Sequence, residues 1–404
     1  MKVLIINSVV GNGSTGRIVA GLYGYLRSKG EDVRVAYGMG EVSKVPAEYT
    51  LKINNRRGYL FHNFMASLTD RAGFFSTVQT WRLVRYIKDF EPDVICLHQI
   101  HGYWINIRVL FRFLKQYNCP VLWTTHDCWS FTGHCAHFDL LGCSRWKEGC
   151  GSCPGRKSYP ASWYVDNSAL NYRQKKKLFL ALGNRLKMVP ISDWIRGLLL
   201  ESFLKDNVAE RIHNGIDLNV FRPVCADDLI PRYHLEGQKI VLGVALPWSG
   251  YKGLPDIIKL RQFLPADYLI VLIGMAEWQI EGLPEGILGI TRTSDPEELV
   301  KWYSLANVFV NATYSDTYPT VNMEALSCGT PVVTYNTGGS PESVTPDTGM
   351  VVPRGDVEAL ANGIRRFCED ESGEAGRRAY EYSREHFANE RCFEQYYRLM
   401  WESI

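Results

Sequence analysis

Asp316 and Glu324 stand eight residues apart in YSDTYPTVNMEALSCGTPVVTY, separated by a Pro-Thr turn and followed by a β-branched strand. A carboxylate beside a buried strand is costly unless a partner holds it, so this pair needs an explanation. Other residues fit a charged ligand. GNGSTGR presents Gly13, Ser14, Thr15 and Gly16 at the entrance to a helix, an arrangement suited to an anionic group. PWSGYKG carries the cation Lys252, and VLWTT is followed by His126 and Asp127. Five of eleven cysteines then fall at Cys128, Cys135, Cys143, Cys150 and Cys153.

The elements that must position these residues alternate strand and helix. KVLIINSVV, VICL, CPVLWTT and LKMVPI read as apolar strands, and a second series begins near residue 239 with KIVLGVAL, YLIVLIG, ANVFVNAT and TPVVTY. Near-continuous apolar strands between amphipathic helices predict an α/β protein with two Rossmann-like, doubly wound parallel sheets. In such sheets ligands bind beyond the carboxyl ends of the strands. Polar or glycine-rich segments follow six strands: GNGSTGR, His126-Asp127, Ser192-Asp193, Lys252, Asp316 with Thr320, and Gly338-Gly339. A cleft between two domains is the economical expectation. The boundaries are placed at 1–190 for the first domain, with a Cys-rich insertion at 128–153, and 191–375 for the second. A helical tail, 376–404, is expected to pack back on the first domain.

Composition narrows the class. At 404 residues, 46% hydrophobic and net charge +2, the chain is globular and lacks the basic surplus of a nucleic-acid binder. No apolar run reaches the roughly 20 residues of a membrane span. The expected location is the cytoplasm, where cysteines start as thiols.

The motifs together resemble a known family. Asp316 to Glu324, ALSCGTPVV, GGSPE, IHNGIDLNVFRP and Lys252-Gly253 are similar to the retaining GT-B enzymes of glycosyltransferase family 4. GSTGR, HGYWINI, HDCWSFTGHC and DTYPTVNMEAL resemble bacterial exopolysaccharide transferases of the colanic-acid type. The resemblance implies a nucleotide-diphosphate sugar donor and a glycan or polyprenyl-linked acceptor, with retention of configuration and no catalytic metal. Lys252 and Gly13–Gly16 would meet the phosphates, and Glu324 the ribose hydroxyls. Asp316, with the amides through Thr320 and Val321, would lie near the sugar. His126 would contact it near the reacting carbon. Asp316, Lys252 and His126 are thus the catalytic candidates. The two acids would hold opposite ends of one donor.

Two departures stand out. Asp316 replaces the more usual glutamate, and Leu246-Pro247 occupy the place of a phosphate-binding arginine, for which Arg17, Arg196 or Arg292 would have to substitute. Another GT-B enzyme, such as a sugar-nucleotide epimerase, or a non-catalytic nucleotide-sugar-binding protein is the alternative.

The insertion poses a separate question. Cys150-x2-Cys153 has knuckle spacing, and Cys135 with Cys143 would complete a structural zinc set. His134 and His137 are alternative ligands, and free thiols or disulfides remain open. The bland readings are ordinary ones: Glu324 favouring a helix N-terminus, Trp129 and Trp248 packing, and RQKKK (173–177) as a solvated helix face. A functional version has RQKKK, NRRGYLFHNF and WRLVRY meet anionic lipid at the inner membrane face.

Overall fold

The computed structural model describes residues 1–370 and 372–404. It contains two six-stranded parallel sheets. The first comprises β1 (Lys2–Asn7), β2 (Asp32–Tyr37), β3 (Thr50–Lys52), β4 (Val94–Leu97), β5 (Val121–Thr125) and β6 (Leu186–Pro190). The second comprises β7 (Lys239–Val244), β8 (Tyr268–Ile273), β9 (Ile287–Ile290), β10 (Val308–Asn311), β11 (Val332–Tyr335) and β12 (Gly349–Val352).

The orders are β3-β2-β1-β4-β5-β6 and β12-β11-β10-β7-β8-β9. Numbered within each sheet, both read 3-2-1-4-5-6, the order of a dinucleotide-binding sheet. Each winds outward in both directions from a central pair, β1/β4 or β7/β10. The chain therefore leaves a gap at the carboxyl ends of those two strands. The apolar runs explain the centre of each sheet: every residue of β4, β5 and β11 is buried, as expected for strands covered on both faces.

The structure divides into two compact units, Met1–His213 with Cys392–Ile404, and Asn214–Arg391. This corrects both expected boundaries. Residues 191–213 stay with the first unit because the helix Asp193–Leu200 folds back beside β6 and Ala209 N–H donates to the Met188 carbonyl at 2.8 Å. The helix Glu374–His386 stays with the second unit, where the backbones of Gly376 and Gly329 run close together. Only the last helix returns. Cys392, Phe393, Tyr396 and Met400 enter the same core as Val3, Val33 and Val94. Tyr396 Oη and Thr124 Oγ1 are 3.0 Å apart, and Tyr397 Oη donates to Glu31 at 2.9 Å.

Truncation at residue 391 would strip that wall from the first core. Burial of a large side chain is worth about 1.5–3 kcal/mol. We expect the shortened chain to melt at least 10 °C lower by differential scanning fluorimetry, or to be insoluble.

Candidate functional site

In the second unit the predicted residues converge on the gap at β7/β10. β7 runs into a turn that ends at Lys252, and β10 into the loop carrying Asp316. Their side chains meet: Lys252 Nζ donates to Asp316 Oδ2 at 2.9 Å, with both groups partly open to solvent. Two glycines make the approach possible. Gly253 has φ +75°, and a Cβ there would lie 2.1 Å from the Ala312 carbonyl oxygen. Gly338, beyond β11, has φ +52°, and a Cβ would lie 1.8 Å from the Asp316 carbonyl oxygen. That oxygen instead accepts the Gly339 N–H at 3.0 Å. The GG pair thus clasps the loop that holds Asp316.

Thr320 and Val321 open the helix Thr320–Ser327 at the same sheet end, and both are half-buried. Glu324 does not begin a helical stretch, as expected from sequence; it is the fifth residue of this helix and 2% exposed. Pro319 takes the N-cap position, where its missing N–H costs nothing, and the helix starts at the next residue. The carboxylate is held by Tyr303, whose hydroxyl donates to Oε2 at 2.9 Å. Asn311 Nδ2 donates to Asn322 Oδ1 at 2.8 Å, and Asn322 Nδ2 to Ser343 Oγ at 3.0 Å, tying the helix to β10 and the segment after β11. Tyr303 and Asn322 were invisible as site residues in the sequence. So was Asp256, whose Oδ2 accepts both Tyr314 and Tyr335 hydroxyls at 2.7 Å. Of the three substitute arginines only Arg292 is in this unit, two residues past β9; Arg17 and Arg196 are exposed in the first.

In the first unit Gly13–Gly16 form the opening turn of the helix Gly13–Ser28, which has no side-chain cap at Asn12. This turn and His126 both lie at the carboxyl end of the sheet, after β1 and β5. The His126 ring stacks on His98 at 5.3 Å between centroids, with Nε2 3.0 Å from His98 Nδ1. Burial lowers the His126 pKa to about 4 and pushes His98 well below its ordinary value. Both rings are therefore neutral at pH 7. Beside them His101 Nε2 lies 2.6 Å from Asp127 Oδ2. Burial opposes the Asp127 charge, but His101 outweighs it and lowers its pKa. Ser192 has a structural task, capping Ile195 N–H at 3.2 Å.

The insertion is anchored by buried polar contacts. RQKKK is not one solvated face: Lys175 is 1% exposed, donates to the Trp129 and Thr132 carbonyls at 2.7 and 3.0 Å, and sits 3.4 Å from the Trp129 ring centroid. Trp129 and Trp248 are buried packing residues. His134 Nδ1 is 2.5 Å from Asp70 Oδ1; burial works against its charge, yet Asp70 raises its pKa.

Residues 238–386 match the family described as Glycosyl transferases group 1. Residues 15–220, just over half of the chain, match Glycosyltransferase Family 4. The chain belongs to glycosyltransferase family 4. Within this family it is 24% identical over 373 residues to WcaC of Escherichia coli (strain K12), a glycosyl transferase assigned to colanic acid biosynthesis; the match spans 89% of each chain. The fold is shared with sucrose-phosphate synthase of Thermosynechococcus elongatus (TM-score 0.72, 20% identity, all of both chains). It is also shared with Anabaena HepE in complex with UDP-glucose (TM-score 0.69, 16% identity, all of both chains). The two Rossmann-type units are those of the GT-B glycosyltransferases.

Two outcomes are expected. Gly253→Ala forces a left-handed residue against a carbonyl and should cost about 2–4 kcal/mol in urea unfolding. The second concerns acid. His62, which accepts the Gly73 N–H at 3.2 Å and meets Ser76 Oγ at 2.8 Å, is also kept neutral, burial lowering its pKa to about 3. His62, His98 and His126 take up protons when unfolded but not when folded, so stability falls as pH drops below about 6.5, by roughly 1.4 kcal/mol per unit for each. His134, shifted upward, offsets part of this. Denaturation at pH 7.5 and 5.5 should show a net loss on the order of 3 kcal/mol on acidification.

Proposed function

We propose that this glycosyltransferase moves a sugar from a nucleoside diphosphate to a growing glycan, with retention at the anomeric carbon, in assembly of a bacterial surface or exported polysaccharide. The observation that carries this reading is the Lys252–Asp316 pair at the β7/β10 gap, with Glu324 held by Tyr303 on the helix that follows Asp316. As the glycosidic bond breaks, negative charge grows on the β-phosphate oxygen. Lys252 is half-buried and aimed at that gap, so its attraction for the leaving group strengthens as the charge develops. The first amides of the helix Thr320–Ser327 supply further donors.

Glu324 accepts hydrogen bonds from the ribose hydroxyls in this reading, and Tyr303 orients it. Asp316, released from Lys252 by the phosphates, accepts from the sugar. A neutral His126 suits a sugar hydroxyl, because an uncharged imidazole has one ring nitrogen to donate and one to accept. The acceptor hydroxyl attacks from the face the diphosphate leaves, and its proton passes to the departing phosphate oxygen. The WcaC likeness supports the polysaccharide assignment, and HepE with UDP-glucose supports a nucleotide-sugar donor.

A surface of the first unit supports a lipid-linked acceptor. The helix Arg56–Thr69 turns Leu60, Phe61, Phe64 and Leu68 to solvent, at 53%, 59%, 52% and 37% exposure. Trp163 packs on Phe64 at 5.8 Å, and the helix Thr77–Phe90 exposes Val78 and Trp81. Exposed Arg56, Arg57, Arg82 and Arg85 flank these residues on the same helices. Among the described residues no helix is long and apolar enough to cross a membrane. An apolar stripe with basic flanks fits the surface of an anionic bilayer.

Nucleotide release from a panel of UDP-, GDP- and ADP-sugars tests the first claim. One donor should be hydrolysed slowly without acceptor, and Glu324→Ala should lower that rate by about 10²-fold or more. Silence across the panel together with no nucleotide binding by calorimetry would remove the transferase reading. For the second claim, the protein should co-sediment with phosphatidylglycerol-containing vesicles and not with neutral ones. Phe61→Ser/Phe64→Ser should weaken this by about tenfold or more. Equal partitioning of both proteins would contradict it.

A further inference from the structure

We infer that Cys135, Cys143, Cys150 and Cys153 hold one structural zinc ion that staples the insertion following His126. Between the end of β5 and the helix Ser168–Leu180 the chain runs through residues 126–167 with only two short 3-10 turns, Asp139–Leu141 and Arg145–Lys147. Loops beyond about 15 residues without regular structure are uncommon in compact units and need their own fixings. Lys175 and the His134–Asp70 pair fix the first part of this one. The four thiols gather in the remainder.

All four line a single cavity of about 20 Å³, with Phe138 and Trp146 as apolar walls. That volume holds about one water-sized particle. Cys135 Sγ and Cys153 Sγ are free thiols 3.8 Å apart. A disulfide requires about 2.05 Å. A zinc tetrahedron with Zn–S of about 2.3 Å has sulfur–sulfur edges of about 3.8 Å. A backbone amide already faces one of the sulfurs: Gly133 N–H donates to Cys150 Sγ at 3.1 Å. Such N–H···S bonds orient thiolate ligands and spread their charge.

The geometry also chooses between ligand types. His134 is committed through Nδ1 to Asp70 and through Nε2 to the Ser158 carbonyl at 3.3 Å. His137 does not line the cavity, so the set is all cysteine, with no open position, and the ion is structural. Arg145 lines the same cavity, so a cation stands near a site that would carry net negative charge. Among the described residues no three His, Cys, Asp or Glu side chains yet stand close enough to hold an ion. Zinc binding would draw together the four sulfurs that already line the cavity, as the thiols release their protons.

Metal analysis of the full chain, expressed in zinc-supplemented medium and desalted, tests this. About one zinc per chain is expected, released when a mercurial titrates the thiols, and refilling the freed site with cobalt(II) chloride after removal of the mercurial should produce the strong visible bands of a tetrahedral thiolate site. Cys150→Ser should carry less than about a tenth of an equivalent, while Cys225→Ser, at an exposed thiol elsewhere, keeps the full amount. The wild-type stoichiometry and cobalt spectrum decide the matter even if Cys150→Ser fails to fold. Zinc-free protein whose four thiols all react with Ellman's reagent would overturn the inference, as would a Cys135–Cys153 disulfide found by peptide mapping.

Discussion

The second unit is organised around a close approach: the turn after β7 lies against the Ala312 carbonyl just past β10, with no room for a side chain at Gly253. Because the sheet winds away from these two strands in opposite directions, no crossover helix covers their carboxyl ends. The approach brings Lys252 and Asp316 to 2.9 Å. An ion pair this exposed contributes little to stability. Its value is to keep a cation and a carboxylate poised where a ligand's phosphates would exchange for the carboxylate.

Around that pair the polar groups are held by other polar groups, not by solvent. Tyr303 fixes Glu324, Asn311 and Asn322 tie its helix to the sheet, and Asp256 gathers two tyrosines beneath the loop of Asp316. Removing one member of such a buried network leaves its partner unsatisfied, at about 1–3 kcal/mol. The first unit uses the same economy with different chemistry. Its imidazoles are neutral where they stack, as His98 on His126, and charge-assisted where an acid faces them, as His134 with Asp70.

Much of this was legible in the residues because continuous apolar runs mark buried parallel strands. β1, β4, β5, β6, β7, β8, β10 and β11 all fall within the runs read as strands. β2, β3, β9 and β12 were not read: they are short or carry polar residues, as in DVRVAY, TLK, ILGI and GMVV. Strand ends bearing Lys252, Asp316 and Gly338 were readable, since that position is set by topology. What supports them was not. Tyr303 lies 21 residues before Glu324 and Asp256 58 residues before Tyr314, contacts with no local signature. Lys175 misled for the opposite reason: within RQKKK its neighbours are solvated, and only the Trp129 and Thr132 carbonyls make its burial favourable. The unit boundaries shifted because packing beside β6 and against Gly329 decides them, and composition does not record it.

Lys252 as the diphosphate's cation is the central claim, and calorimetry can isolate it. Binding of the preferred nucleoside diphosphate should be compared with that of its parent nucleoside, for the wild type and for Lys252→Met. The account predicts that the diphosphate weakens by about 2–3 kcal/mol, the worth of a charge-assisted contact, while the nucleoside is unaffected. Equal losses for both ligands, or none for either, would contradict it.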